Sequence, residues 1–249
     1  MPNKLEISDL IIEKLSNASH IVVLTGAGIS SESGVKTFRD PDGIWAKFNP
    51  QELASIDGFM SNPKLVWDWY QERRAIVDSV RPNTGHLALS ELEKITPKLS
   101  LYTQNVDKLH QRAGSQNVQE LHGNIVENKC FDCNKPHVEN ITNGELPKCM
   151  YCGGKIRPNV VWFGEMLPEK VLQNAERDAS HCDFFITIGT SGEVYPAAGL
   201  PALAVRNGAY ALEINANETS ISKMHHSNIF APSGLALPAI VELLKNKTR

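Results

Sequence analysis

Five continuous apolar runs of strand length, spaced along 249 residues with helical patterns between them, constrain the fold more than any other feature. They are IVVLTG (21–26), LSLYTQN (99–105), VVWFG (160–164), FFITIGT (184–190) and YALEIN (210–215). Each is rich in β-branched or aromatic residues and lacks the apolar–polar alternation of a half-exposed strand. Strands read this way when helices cover both faces of a parallel sheet. Helical periods lie between the runs, as in TGHLALSELEKI (84–95), EKVLQNAERDAS (169–180) and LPAIVELLKNK (237–247). The alternation predicts an α/β chain with a doubly wound, Rossmann-like parallel sheet. Every run closes on Gly, Asn or Thr. Small polar residues therefore gather at the strand C-termini, where such sheets bind their ligands.

Two segments fall outside the alternation. Residues 40–82 show no strand pattern but carry the Trp-rich helical stretch KLVWDWYQERRAIVDSV, and residues 126–157 carry four clustered cysteines. They are expected to form a smaller second domain, helical and zinc-binding. The dinucleotide-binding sheet is then assembled from 1–39, 83–125 and 158–249. Hydrophobic residues at 41% supply a sizeable core, and a net charge of −3 argues against a dedicated nucleic-acid binder. No apolar run approaches the roughly 20 residues that cross a bilayer. The opening MPNKLEISDLIIEKLSNAS mixes charge with apolar residues at helical spacing, unlike a signal peptide. The expectation is a cytoplasmic monomer that binds neither nucleic acid nor membrane.

LTGAGIS (24–30) places Gly26, Ala27 and Gly28 between a strand and a helix start. Glycines there let a pyrophosphate approach the backbone, and free N–H groups at the helix start point at it. The third glycine of the Gly-x-Gly-x-x-Gly fingerprint is replaced by Ser31. A ribose-binding acid is also missing, because the stretch about 20 residues on, GVKTFRDPDGIW, reads as a loop. The loop fits a dinucleotide, but the usual dehydrogenase partner is missing, which speaks against the rival reading of a dehydrogenase on a similar sheet.

Cys130, Cys133, Cys149 and Cys152 form C-x2-C, a 15-residue spacer, then C-x2-C. That spacing matches a four-thiolate tetrahedral zinc site. With four protein ligands no position stays open for water, so the zinc would be structural. A redox pair and an iron–sulfur cluster are the alternatives. Cys182, ahead of FFITIGT, reads as a small buried hydrophobe.

TQNVDKLH (103–110) follows a buried strand and would project Gln104, Asn105 and Asp107 at the ligand edge, and His122 precedes a glycine in ELHGN. GAGIS (26–30), GVKTFR (34–39), TQNVDKLH, LHG (121–123), the four cysteines, VVWFGE (160–165), GTS (189–191) and EIN (213–215) occur in this order. Together they closely resemble the sirtuins, NAD-dependent protein lysine deacylases, over about 19–244. One departure is Lys36, where the family usually has a proline that would stiffen the loop.

The resemblance implies that NAD is consumed, with release of nicotinamide and O-acyl-ADP-ribose. It implies His122 as general base and Asn105 as its catalytic companion. Gly26, Ala27, Gly28 and Ser30 would hold the pyrophosphate side. Phe38, Arg39 and Trp45 would lie on the cofactor loop, and Gln104, Asn105 and Asp107 around the ribose and nicotinamide. Gly189, Thr190, Ser191, Asn215, Ala216, Asn217 and Ser233 would hold the adenosine half. Val161, Phe163, Gly164 and Glu165, facing the GEVYPA stretch, would clamp an acyl-lysine peptide as an added strand. Tyr70 and Arg73, three apart on one helix face, resemble the Tyr-x-x-Arg pair of members that remove succinyl and malonyl groups. Ala54 would widen that acyl pocket. Arginine suits a carboxylate because it is always charged and presents a planar fork. The bland alternative for Arg73 is a solvated helix face. Two other functions compete: ADP-ribosyl transfer to protein, which shares the first chemical step, and a zinc-ribbon binding module.

Overall fold

The computed structural model describes residues 5–36, 50–138 and 145–247. The large sheet has six parallel strands: β1 (Ile21–Thr25), β2 (Leu99–Thr103), β3 (Val118–Glu120), β7 (Phe184–Ile188), β8 (Tyr210–Asn215) and β9 (Ser227–Phe230). Their order is β3-β2-β1-β7-β8-β9. β1, β2 and β7 are buried at every residue, as their unbroken apolar runs predict. Alternate side chains serve opposite layers. Ile21, Val23, Phe184 and Ile186 pack with Leu89 and Leu92 of helix Thr84–Ile95 and with Leu237 and Ile240 of helix Ser233–Lys247. Val22, Leu24 and Phe185 pack with Ala175 and Ala179 of helix Glu169–His181 and with Leu200 and Ala204 of helix Leu200–Arg206. Cys182 is buried in this second layer, as expected, and burial pushes its thiol up to about 12.

The order reverses at β1, whose neighbours β2 and β7 lead outward in opposite directions. A crevice opens at such a reversal, beyond the strand C-termini. Here it lies between the ends of β1 and β7.

A second, antiparallel sheet has the order β5-β4-β6, from β4 (Gly123–Cys130), β5 (Pro136–His137) and β6 (Ile156–Val160). Helices Ile56–Ser61 and Pro63–Ser79 pack against it, burying Phe59, Trp69, Tyr70 and Val77 with Ile125 and Trp162. Each helix starts on a side-chain cap: the Ser55 hydroxyl accepts from the Gly58 amide and Asn62 Oδ1 from the Leu65 amide. Arg74 ties the longer helix to β4, donating to the Ile125 carbonyl and to Asn128 Oδ1.

One strand expectation is corrected. The run VVWFG does not join the parallel sheet: β6 ends at Val160, lies in the small sheet, and 161–164 is not a strand. Val160 and Trp162 are buried, whereas Val161 is half-buried and Phe163 is 49% exposed. The run is apolar in composition but one-faced in space.

Candidate active site

Three glycines set the floor of the crevice. The Gly26 amide donates to the Ile188 carbonyl at 2.9 Å and the Gly28 amide to the Gly189 carbonyl at 2.8 Å. A Cβ on Gly28 would stand 2.7 Å from Gly189 Cα, and one on Gly189 2.5 Å from the Ile29 nitrogen. Gly189 also sits at φ +58, a backbone region that favours glycine. The loops after β1 and β7 therefore touch backbone to backbone. The helix Gly28–Ser31 starts directly there.

Polar side chains converge above this floor. Asn105, buried, donates from Nδ2 to the Gly26 carbonyl at 3.0 Å and to Ser30 Oγ at 3.2 Å. Ser30 in turn donates to Asp107 Oδ2 at 2.7 Å. Burial pushes the Asp107 carboxyl above its usual range, and hydrogen bonds from Leu109 and Ser30 work against that shift. Gln104 Nε2 donates to Thr190 Oγ1 at 3.0 Å, bridging the ends of β2 and β7. Asn215 Nδ2 donates to the Thr190 carbonyl at 2.9 Å, extending the network to β8.

His122 lies where the chain leaves the large sheet for the small one. The Leu121 amide holds the Thr103 carbonyl, and the His122 carbonyl accepts from the Val161 amide at 2.8 Å. Gly123, at φ +70, makes the turn; a Cβ there would lie 2.0 Å from the Asn159 carbonyl oxygen. His122 Nδ1 is 3.1 Å from the Gln104 carbonyl, which can only accept, so Nδ1 carries the proton. Nε2 is then left with its lone pair in the neutral ring. Burial lowers the His122 pKa, with the Gln104 bond partly opposing it. A neutral imidazole with a free, basic Nε2 can take up a proton.

Two buried histidines underlie this network and were not anticipated. His86 Nε2 lies 3.4 Å from Ser30 Oγ, His110 Nε2 lies 2.9 Å from Thr25 Oγ1, and the rings are 4.9 Å apart. Burial pushes His86 down to about 4 and His110 to about 3, with the neighbouring His86 lowering the latter further. Both are neutral spacers at physiological pH. His86 sits within the apolar helical period TGHLALSEL, where sequence offers no sign that it meets Ser30.

The four cysteines come together. Cys130 and Cys152 sulfurs are 3.5 Å apart, those of Cys133 and Cys149 3.7 Å, and all four lie within 4.8 Å of one another. Zinc–thiolate bonds of about 2.3 Å in a tetrahedron demand sulfur separations of that order. The quartet is positioned to bind a zinc ion, with the four ligands closing the coordination shell.

The profile of the Sir2 family matches residues 26–196. The chain belongs to the Sir2 family, the sirtuins. It is 48% identical over 230 residues to an NAD-dependent protein deacylase of Aquifex aeolicus, covering 92% of this chain and 96% of that one. A solved Sir2 homologue–NAD complex superposes with a TM-score of 0.93 at 39% identity, covering 98% of this chain and 96% of the other. A mutant Sir2 homologue with 2′-O-acetyl ADP ribose superposes at 0.91, with 40% identity and 97% and 98% coverage.

The other residues expected of a sirtuin site are placed as follows. Ser191 accepts through its carbonyl from Ser220 Oγ, and the Ala216 amide donates to Asn215 Oδ1, leaving Ala216 and Asn217 exposed. Ser233 heads the last helix, where its hydroxyl and the Gly234 amide both reach the Glu32 carboxylate, at 3.1 and 2.8 Å. Phe38, Arg39 and Trp45 lie outside the described residues. Ala54 is buried, and its carbonyl accepts from the Phe163 amide at 2.9 Å. Gly164 sits at φ +87. Glu165 is half-buried at the edge of a cleft and turns its carboxylate inward: it pairs with Arg157 through both oxygens and accepts from the Trp162 amide at 2.8 Å. Tyr70 is also inward. Its hydroxyl accepts from Trp162 Nε1 at 2.9 Å, and burial pushes its pKa up to about 12. Arg73 lies over the Trp69 ring at 4.8 Å, and its Nε has no partner among the described residues.

Proposed function

We propose that this chain is an NAD-dependent protein lysine deacylase that consumes NAD and releases nicotinamide and O-acyl-ADP-ribose. The observation that carries the reading is His122, tied by Nδ1–H to the Gln104 carbonyl and left basic at Nε2 beside the switch-point crevice. When bound there, NAD supplies the ADP-ribose that takes up the acyl group. The rest falls to the chain. Gly26 and Gly28 would bring bare backbone close to the phosphates at the start of helix Gly28–Ser31, although the Gly28, Ile29 and Ser30 amides already donate to the carbonyls of Gly189, Gly26 and Ala27. Asn105, Ser30 and Asp107 form a hydrogen-bonded cluster suited to ribose hydroxyls. Asn215 and Ser233 would hold the adenosine half. His122 removes a proton from a ribose hydroxyl, and its burial keeps the ring neutral and ready to do so. Zinc in the cysteine quartet holds the small region together and takes no part in the chemistry.

Val161, Phe163 and Gly164 supply one edge for an acyl-lysine peptide, and GEVYPA the other. Phe163 at 49%, Val194 at 38% and Tyr195 at 72% exposure offer apolar surface along both. Tyr70 and Arg73 are assigned to the distal carboxylate of succinyl or malonyl groups, an assignment supported by the unpaired Arg73 Nε. On this reading the enzyme acts in the cytoplasm, as a monomer, on proteins rather than nucleic acid or membrane.

Mass spectrometry of matched acetyl-, succinyl- and malonyl-lysine peptides with NAD tests this. Nicotinamide and deacylated peptide should appear in step. Deacylation that is indifferent to NAD overturns the reading, and ADP-ribose found on the peptide replaces it with ADP-ribosyl transfer. Arg73→Met should lower the desuccinylation-to-deacetylation ratio by about one to two orders of magnitude, the worth of a charge-assisted hydrogen bond. An equal fall in both activities removes the acidic-acyl assignment.

A further inference from the structure

A cleft of about 610 Å³ opens where the small sheet meets the segment after β6. Lys129, Asn134, Asn159, Val161, Glu165 and Met166 are among its lining residues. Its electrostatics are lopsided. Glu165 is neutralised by its two-pronged pair with Arg157, whose side chain is 3% exposed. The nearby Glu127 carboxylate is held by Lys108 at 3.0 Å and touched by Asn159 Nδ2 at 3.4 Å. Lys129 is left over: half-buried, its side chain makes no ion pair or hydrogen bond among the described residues. An ammonium held out of bulk water without a counter-ion gains more from an incoming anion than an exposed one does.

The place of the cleft suggests where the anion comes from. It shares Val161 and Glu165 with the segment assigned above to the substrate peptide, so this inference rests on that reading. A peptide lying extended along 161–166 turns alternate side chains to the same side. We infer that the cleft is a subsite for an acidic side chain, Asp or Glu, of the substrate protein close in sequence to the acylated lysine. Lys129 supplies the charge, the Asn134 amide can add a donor, and Met166, 88% exposed, forms an apolar rim. Lys129 is here a specificity residue and takes no part in the chemistry.

The test is fluorescence anisotropy of labelled acetyl-lysine peptides in which each position from −3 to +3 carries Glu or Gln in turn, with NAD-dependent turnover measured in parallel. One position should favour Glu by roughly 3- to 10-fold, the worth of a partly desolvated ion pair. Lys129→Met should abolish that preference without changing kcat on the all-Gln peptide. Lys129→Arg should retain it, and Lys129→Glu should transfer it to a Lys-bearing peptide. Raised salt should weaken it. No preference at any position, an equal preference for acid everywhere, or a preference that survives in Lys129→Met overturns the subsite. Peptides that bind with the predicted charge preference but are never turned over with NAD would overturn the proposed function and leave the subsite standing.

Discussion

The crevice between β1 and β7 and the cysteine quartet both hold polar groups at fixed positions, and they do so by opposite means. The crevice is built by backbone. Gly26, Gly28 and Gly189 bond and touch across two strand ends, and those strands are buried at every residue. Around the cysteines the buried partners among the described residues are few: Trp67 and Ile156, with Leu146 partly buried. So small an apolar cluster cannot repay the entropy of ordering two C-x2-C turns, and metal–thiolate bonds must supply what packing does not. The contrast implies that each region fails independently.

Metal removal should produce the largest effect. Structural zinc contributes roughly 10–16 kcal/mol of apparent binding energy in small zinc-dependent folds. Chelation, or Cys149→Ser, should melt the small sheet while the parallel sheet persists. Hydrogen exchange reads this as lost protection in 123–137 and 156–160 with retention in 184–188 and 210–215. Simultaneous loss in both sets would show that the regions are one cooperative unit. Native protein containing no zinc would remove the metal from the account.

Breaking the crevice chemically should leave the other region untouched. His122→Ala removes the base, and general-base loss costs about 10²–10⁴-fold in rate. Zinc content and melting temperature should stay near wild type, because among the described residues His122 makes only one side-chain bond, to the Gln104 carbonyl. Near-normal turnover would assign the proton transfer to another group.

Acid should act mainly on the crevice side. His86 and His110 are depressed to about 4 and 3 in the folded chain, against about 6.5 unfolded. The unfolded state therefore binds more protons, so the stability conferred by these neutral rings is complete above pH about 6.5 and is lost as pH falls below it. For two buried groups the loss is on the order of a few kcal/mol by pH about 4. In His86→Gln the dependence of melting temperature on pH between 6.5 and 4 should flatten. An unchanged slope would show that other groups titrate.

Much of this was legible beforehand, and the reasons are particular. YALEIN became β8 over the predicted residues, and TGHLALSELEKI became helix Thr84–Ile95, because each has an unambiguous period. The cysteine spacing alone pointed to the quartet. β3 and β9 went unseen because, at three and four residues, they are too short to carry a pattern. VVWFG misled because its solvent-facing positions are also apolar. Glu165 lines a cleft while its carboxylate is held by Arg157, an ion pair that the local sequence does not announce.

The sequence by itself determined the βαβ alternation, the glycine turn and the metal ligands, since each is set by neighbours along the chain: periodicity, backbone freedom, a two-residue spacing. Only the tertiary structure decided which way His122 carries its proton, that His86 and His110 meet under Ser30, and that the Lys129 ammonium has no ion-pair partner among the described residues. Those properties depend on burial and on partners from distant segments, and both come into being when the two sheets close on one another.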